Sequence, residues 1–266
     1  MILKFYITYV CDCMCSYCNV NKDNVYFDYE DYVTLFSLHK DITEVCFIGG
    51  EPTTHPAFLS FVQYNRAHDC KNILITNASS NIDKYIPYLD EVIVSLDGTR
   101  EYNTNVRHYQ NFDNALHFIQ SCKDVNKQIS INKVVTYQEL LDESLLLNNI
   151  DFLNTLNVPI NYILVNDKNF NISIINTFKK YKNLFNTHNK LCDIQKSNIY
   201  NIYYDFHLNM WTMRKCIVYK QESSAYNRDC HKCIHNKECL TCPKHDIFET
   251  DLSCFRCVLT NSTKGG

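Results

Sequence analysis

Along residues 1 to about 165, short apolar runs alternate with longer amphipathic ones. The apolar runs predict strands at Ile2–Tyr9, Glu44–Ile48, Asn72–Thr76, Glu91–Leu96, Gln128–Thr136 and Asn157–Val165. Between them the pattern predicts helices near 28–39, 55–68, 81–88, 111–123 and 137–155. Such alternation argues for an α/β fold, a parallel sheet with helices outside it. Six repeats suit a partial (β/α)6 barrel, although an open doubly wound sheet has the same signature. In either architecture ligands collect where strand C-termini meet the following loops.

The residues with distinctive chemistry fall at those strand ends. After the first strand come Cys11, Cys15 and Cys18, with Tyr17 just before the last of them; after the second, Gly49-Gly50-Glu51-Pro52. Thr76-Asn77 follows the third strand, and Ser95-Leu96-Asp97-Gly98 closes the fourth. Three thiolates from one loop can hold three irons of a 4Fe-4S cluster. Because such clusters usually take four protein cysteines, one iron is left open for another ligand. Adjacent glycines let the backbone approach a neighbour closely, Glu51 supplies a carboxylate for an ammonium group, and Arg107 offers the planar fork that suits a carboxylate. Singly, Gly-Gly is usually a turn, Ser-x-Asp a cap and an isolated arginine a solvated charge. Four such features at consecutive strand ends behind one cysteine loop point to a site.

Composition narrows the setting. The chain has 266 residues, 45% of them hydrophobic, enough for one large domain or a barrel with a small appendage. Its net charge is −3 with no block of basic residues, so no nucleic-acid footprint is visible. Residues 1–185 sum to −6 and 186–266 to +3, a compositional change near 186. Fifteen cysteines are far more than an ordinary cytosolic protein carries. The N-terminus leads straight into a strand pattern without a signal-peptide layout, and no apolar run is long enough to span a bilayer. Metal-bound thiolates in a reducing cytoplasm are the expectation. Cys46, Cys70 and Cys122 lie in predicted elements and are expected as buried thiols, and Cys13 is by spacing a bystander.

The motif Cys11-x3-Cys15-x2-Cys18 after a first strand, with Tyr17 before the last cysteine, resembles the signature of radical S-adenosylmethionine (SAM) enzymes. Residues 2–165 look like the catalytic barrel of that superfamily in the order its motifs arrive, with Ala78 where many members have glycine after Thr-Asn. The resemblance implies that Cys11, Cys15 and Cys18 hold a 4Fe-4S cluster whose free iron chelates SAM. It further implies SAM contacts from Tyr17 beside the adenine, Gly49, Gly50 and Glu51 at the amino group, Ser95 and Arg107 at the carboxylate, Asp97 beside them, and Asn77 or Asn132 at the ribose.

The last third holds eight cysteines: Cys192, Cys216, Cys230, Cys233, Cys239, Cys242, Cys254 and Cys257. Two Cys-x2-Cys pairs can make a zinc site, whereas eight thiolates equal the need of two fully ligated 4Fe-4S clusters. The run Cys230-x2-Cys233-x5-Cys239-x2-Cys242 resembles the SPASM domain, an auxiliary-cluster module of many radical SAM enzymes. That resemblance implies a barrel over 1–185 and a small cysteine-rich iron-sulfur domain over 186–266. Cys230, Cys233 and Cys239 would share one cluster with Cys254 or Cys257, and Cys192, Cys216 and Cys242 would belong to the other.

The implied reaction is reductive cleavage of SAM to a 5′-deoxyadenosyl radical that takes hydrogen from a substrate. Enzymes similar to this one commonly act on peptides or proteins, which makes peptide maturation by oxidation or crosslinking the first expectation. No recognition domain is evident in the sequence, so a separate peptide-recognition protein or direct capture at the barrel mouth would be needed. Oxidation of a small-molecule alcohol such as a sugar or cyclitol is the second expectation, and a non-catalytic zinc or iron-sulfur protein a third. A reducing partner such as flavodoxin or ferredoxin is implied for the first two. Tyr200, Tyr203, Tyr204, Tyr219 and Tyr226 are candidates for a substrate cleft, and Asp205 and Asp229 for a general base.

Overall fold

The computed structural model describes residues 1–165, 177, 180, 181, 199–205 and 210–215. Six parallel strands run β1 (Ile2–Thr8), β2 (Glu44–Gly49), β3 (Lys71–Thr76), β4 (Glu91–Ser95), β5 (Gln128–Val135) and β6 (Ile160–Leu164). Each pairs with the next in sequence, giving the order β6-β5-β4-β3-β2-β1. Parallel crossovers are right-handed, so an unbroken sequential order carries every connection over the same face. That winding belongs to a partial barrel and excludes the doubly wound alternative, in which the order must reverse.

The crossovers contain α1 (Tyr29–Leu38), α2 (Phe58–Ala67), α3 (Arg100–Arg107), α4 (Phe112–Asp124), α5 (Tyr137–Leu141) and α6 (Glu143–Asn154). Asp28 caps α1 by accepting from the Glu30 and Asp31 amides, and Asp142 does the same for α6 at Ser144 and Leu145. The expected helix at 81–88 is a 3-10 stretch, Asp83–Tyr88, with Pro87 inside it; proline removes a donor and disfavours a continued α-helix. Asp142 likewise splits 137–155 into two helices by leaving helical geometry. Helix α3 was not expected from the pattern, because its residues, REYNTNVR, are polar almost throughout.

Two more strands join the other edge. β7 (Ile199–Asp205) pairs parallel with β1, and β8 (Met210–Lys215) pairs antiparallel with β7. They follow the change in charge near 186 and still hydrogen-bond into the barrel sheet. No helix of the described residues is long and apolar enough to cross a membrane.

Alternation decides which side of β1 is core: Leu3, Phe5 and Ile7 are fully buried, whereas Ile2, Lys4 and Tyr6 are only half-buried. The buried set packs on Tyr32 and Phe36 of α1 and on Phe58, Phe61 and Val62 of α2. Aromatic rings dominate here, with Phe5 stacked on Tyr32 at 5.4 Å and Phe61 edge-on to Tyr32 at 4.7 Å. Cys46 of β2 and Cys122 of α4 are buried free thiols as expected, and Cys70 is buried too, although it lies in the turn between α2 and β3 rather than in an element. Because Phe61 touches the rings of Phe5, Tyr29, Tyr32, Phe47 and His55, Phe61→Ala is expected to cost about 3–5 kcal/mol. Phe61→Leu should cost clearly less, both read by urea denaturation.

His55 lies against this core, with Nε2 donating to the Phe27 carbonyl at 2.9 Å and Nδ1 accepting from the Ala57 amide at 3.0 Å. That arrangement requires the neutral ring, and burial lowers its pKa from 6.5. The unfolded chain therefore takes the proton first as the pH falls, so this contribution to stability is full above about 6.5 and is lost below it. Denaturation midpoints at pH near 7.5 and 5.5 should differ more in wild type than in His55→Asn.

Candidate functional site

The C-terminal ends of β1 to β5 converge on the cysteine loop, which hydrogen bonds from two directions hold in place. Gly50 donates to the Thr8 carbonyl and Glu51 to the Val10 carbonyl, both at 2.8 Å. From the other side, the Met14 and Ser16 amides donate to the Arg107 and Val106 carbonyls at 3.0 and 2.8 Å. The close approach made possible by Gly49-Gly50 is thus to the end of β1. A Cβ on Gly49, whose φ is +141°, would sit 2.2 Å from the Thr8 carbonyl oxygen, and one on Gly50 would sit 2.1 Å from that of Val10.

Glu51 is buried, and its carboxylate ties the β2 loop to the end of β3. Oε1 accepts from the Thr53 amide, the Thr53 hydroxyl and the Thr76 hydroxyl, and Oε2 accepts from the Asn77 amide at 2.7 Å. Burial raises the pKa of Glu51 while these hydrogen bonds pull against it. Each carboxylate oxygen offers about two acceptor sites; Oε1 is crowded by three donors, and Oε2, with the Asn77 amide on it, has room for a further one. Asn77 in turn donates to Asp12 Oδ1 at 3.0 Å, to Cys13 Sγ at 3.2 Å and to Cys11 Sγ at 3.8 Å. Ala78 takes φ +50°, a left-handed conformation that glycine adopts without strain, in a turn closed by hydrogen bonds to the Thr76 and Asn77 side chains.

Asp97 is fully buried and forms the second anchor. Its Oδ2 accepts from the Tyr17 hydroxyl at 2.6 Å and pairs with Arg107 Nη2 at 2.9 Å, while Oδ1 accepts from the Val134 amide at 2.9 Å. Arg107 directs Nε to Asn103 Oδ1 at 3.2 Å and Nη1 to Cys15 Sγ at 3.9 Å. The guanidinium is buried and faces Asp97 and the cysteine loop. Burial works against its charge, but the Asp97 carboxylate more than restores it and holds its pKa above arginine's ordinary value. Burial, and then the same carboxylate, push the Tyr17 phenol well above 10, so it stays a donor.

Among the thiols, hydrogen bonding with Cys11 and Cys15 pushes the Cys13 pKa up. Cys15 falls to about 6, chiefly through the hydrogen bond from Cys13 and further through Arg107, with burial opposing. Cys11 is also lowered, chiefly by Cys13. Cys18 is exposed, its amide bonded to the Cys15 carbonyl at 3.1 Å. Thiolates are the ligating form, so a loop that eases ionisation at Cys11 and Cys15 fits a thiolate-bound metal group. Among the described residues no three His, Cys, Asp or Glu side chains are gathered closely enough to hold one metal ion.

Ser95 pairs in register with Asn132, and Asn132 with Asn161. Asn161 Nδ2 donates to Asn132 Oδ1 at 3.2 Å, so a polar row of half-buried residues crosses β4, β5 and β6. The structure therefore joins Cys11, Cys15, Tyr17, Gly49, Gly50, Glu51, Asn77, Asp97 and Arg107 through continuous hydrogen bonding, with Ser95 and Asn132 beside them. Cys192, Cys216, Cys230, Cys233, Cys239, Cys242, Cys254 and Cys257 lie outside the described residues.

Several members escaped the sequence reading. Asn103 accepts from the Asp97 amide and donates to Asn111, which donates to the Asn77 carbonyl; scattered asparagines in an asparagine-rich chain carry no signal. Cys13 is buried in this network rather than idle in the loop. Lys133 and Glu139, both fully buried, form an ion pair at 2.6 Å beneath Asp97. The Thr136-x-x-Glu139 capping box and a lysine among the buried positions Ile129, Ile131 and Val135 of β5 were the available signals.

No protein-family model and no curated protein matches the sequence. Solved structures do match in fold. Streptococcus suis SuiB bound to precursor peptide SuiA aligns at 17% identity and a TM-score of 0.57, over 74% of this chain and 47% of that one. SuiB bound to S-adenosylmethionine aligns at 18% and 0.56, over 74% and 49%. Native anSMEcpe with bound AdoMet and Cp18Cys peptide aligns at 19% and 0.58, over 72% and 61%. The matched part of this chain spans about half the length of SuiB, and at these identities the likeness is one of fold.

Removing the charge of Asp97 leaves Arg107 buried without its counter-ion. Asp97→Asn is expected to cost about 3–5 kcal/mol in urea denaturation, as for other broken buried pairs. The double variant Asp97→Asn/Arg107→Met should recover part of that loss.

Proposed function

We propose that this chain is a radical SAM enzyme whose substrate is a peptide or protein. The observation that carries the reading is the placement of Cys11-x3-Cys15-x2-Cys18 at the C-terminal end of β1, held against Gly50, Asn77 and Arg107 at the ends of the neighbouring parallel strands. Cys11, Cys15 and Cys18 would hold a 4Fe-4S cluster, and Tyr17, Gly49, Gly50, Glu51, Asn77, Ser95, Asp97, Arg107 and Asn132 would surround SAM. When bound, the cluster and SAM supply the one-electron cleavage that yields a 5′-deoxyadenosyl radical able to take hydrogen from an unreactive carbon.

The chain's own groups prepare that chemistry. Arg107 stabilises ionised Cys15 and so favours ligation. Glu51 retains acceptor capacity toward an ammonium group, and the Asn77 amide holds that carboxylate in place. The row of Ser95, Asn132 and Asn161 lines the half-exposed face of the sheet with donors and acceptors suited to a ribose. Fold neighbours that carry S-adenosylmethionine, and others that carry a peptide, support both parts of the reading. The eight C-terminal cysteines would hold two auxiliary clusters in a SPASM-like region within 186–266, and a reduced flavodoxin or ferredoxin in the cytoplasm would supply electrons.

The test is iron and sulfide content of the anaerobically reconstituted chain, followed by SAM cleavage under reductant. Wild type is expected to hold about twelve irons and Cys11/Cys15/Cys18→Ala about eight, with 5′-deoxyadenosine formed by wild type alone. Stoichiometric zinc, or iron-loaded wild type that never cleaves SAM, would sink the reading and favour a non-catalytic metal protein.

A further inference from the structure

Lysine is an unusual occupant of the core-facing positions of a strand. On β5 the buried positions are Ile129, Ile131, Lys133 and Val135, and Lys133 has no exposure at all. Its Nζ donates to the Asp97 carbonyl at 2.5 Å and to Glu139 Oε1 at 2.6 Å, and lies 5.2 Å from the Tyr102 ring centroid. Glu139 is equally buried. Its Oε1 also accepts from Asn149 Nδ2 at 2.8 Å, and its Oε2 from the Thr136 amide at 3.0 Å.

A buried ion pair is poor value as a source of stability, since apolar residues of similar volume often serve as well or better. An apolar residue cannot, however, donate to the Asp97 carbonyl. The same cluster holds the two residues that follow. Asn149 Oδ1 accepts from the Thr99 amide at 3.1 Å, and Gly98, at φ +150°, packs so closely on Asn149 that a Cβ would come within 2.2 Å of it. The segment Asp97–Thr99 is therefore fixed from beneath at three consecutive residues. Asp97 then orients Tyr17 and Arg107, and Arg107 reaches Cys15.

We propose that Lys133 and Glu139 are positioning residues for the cysteine loop, acting through Asp97 and Arg107 rather than by touching a ligand. Glu139 holds Lys133, Lys133 holds the Asp97 main chain, the Asp97 carboxylate holds Arg107, and Arg107 reaches Cys15, so each member fixes the next by direct contact. The consequence for SAM rests on the function proposed above; the ordering of the loop does not.

The test compares wild type, Lys133→Met/Glu139→Gln and Glu139→Gln as full-length chains. Amide hydrogen exchange is followed by mass spectrometry in segments 11–18 and 97–107, with β1 to β4 as internal reference, alongside melting temperature. The double variant is expected to melt close to wild type, because no unpaired buried charge remains, while exchange in both segments rises about tenfold or more and the reference strands do not change. After anaerobic reconstitution, SAM affinity should fall about tenfold, with an altered spectral response of the cluster to SAM. Should the double variant fail to fold, Glu139→Gln, which keeps the side-chain volume but leaves Lys133 without its counter-ion, is expected to melt lower and to show the same local rise in exchange over the reference strands. Wild-type exchange in both segments of a folded variant would overturn the proposal. Wild type that binds no SAM, with the local rise in exchange still present, would remove the proposed function and leave the positioning role standing.

Discussion

A carboxylate with no exposure to water must have its acceptor sites filled, and at Asp97 filling them brings four segments of the chain together. Tyr17 comes from the cysteine loop, Arg107 from α3 and Val134 from β5, all meeting the end of β4, where the Asp97 amide in turn donates to Asn103 of α3. The pairing with Arg107 is obligatory in both directions, since either charge left alone in that surrounding would carry a large desolvation cost. The ends of the central strands and the loop of thiols are thereby held in one arrangement.

Glu51 does the corresponding work on the other side of the loop. Its carboxylate joins the β2 turn to Thr76 and Asn77, and Asn77 reaches both the cysteine loop and, through Asn111 and Asn103, the Asp97 anchor. Two buried carboxylates with a bridge of asparagine amides between them form a polar layer over an aromatic core. The core supplies stability through rings such as Phe5, Tyr32 and Phe61. The polar layer supplies position, because hydrogen bonds have direction and apolar contacts do not.

The glycines show how one feature can serve more than one need. Gly49-Gly50 at a strand end reads equally as a turn, a ligand cradle or a packing contact. In the structure the close neighbour is the backbone of β1 itself. Any ligand at this site meets a loop whose course that contact has already set.

Much of this was legible in the linear pattern. The six core strands of the barrel lie within a few residues of their expected positions, because period-two burial and the breaks between apolar runs are local properties of the chain. The cysteine loop, Glu51, Asn77, Asp97 and Arg107 were visible as unusual residues at strand ends. Three things depended on the assembled sheet: its sequential winding, the joining of β7 and β8 to its edge, and the assignment of partners. Arg107 appeared in the sequence as a free fork for a ligand's carboxylate, and folding turns it to Asp97 and Cys15. Lys133 and Glu139, six residues apart, were not singled out in the sequence at all, and folding buries them as a pair. Spacing along the chain can nominate the residues with chemistry, but which charges lose their water, and which neighbours must then satisfy them, is decided only when distant strands pack side by side.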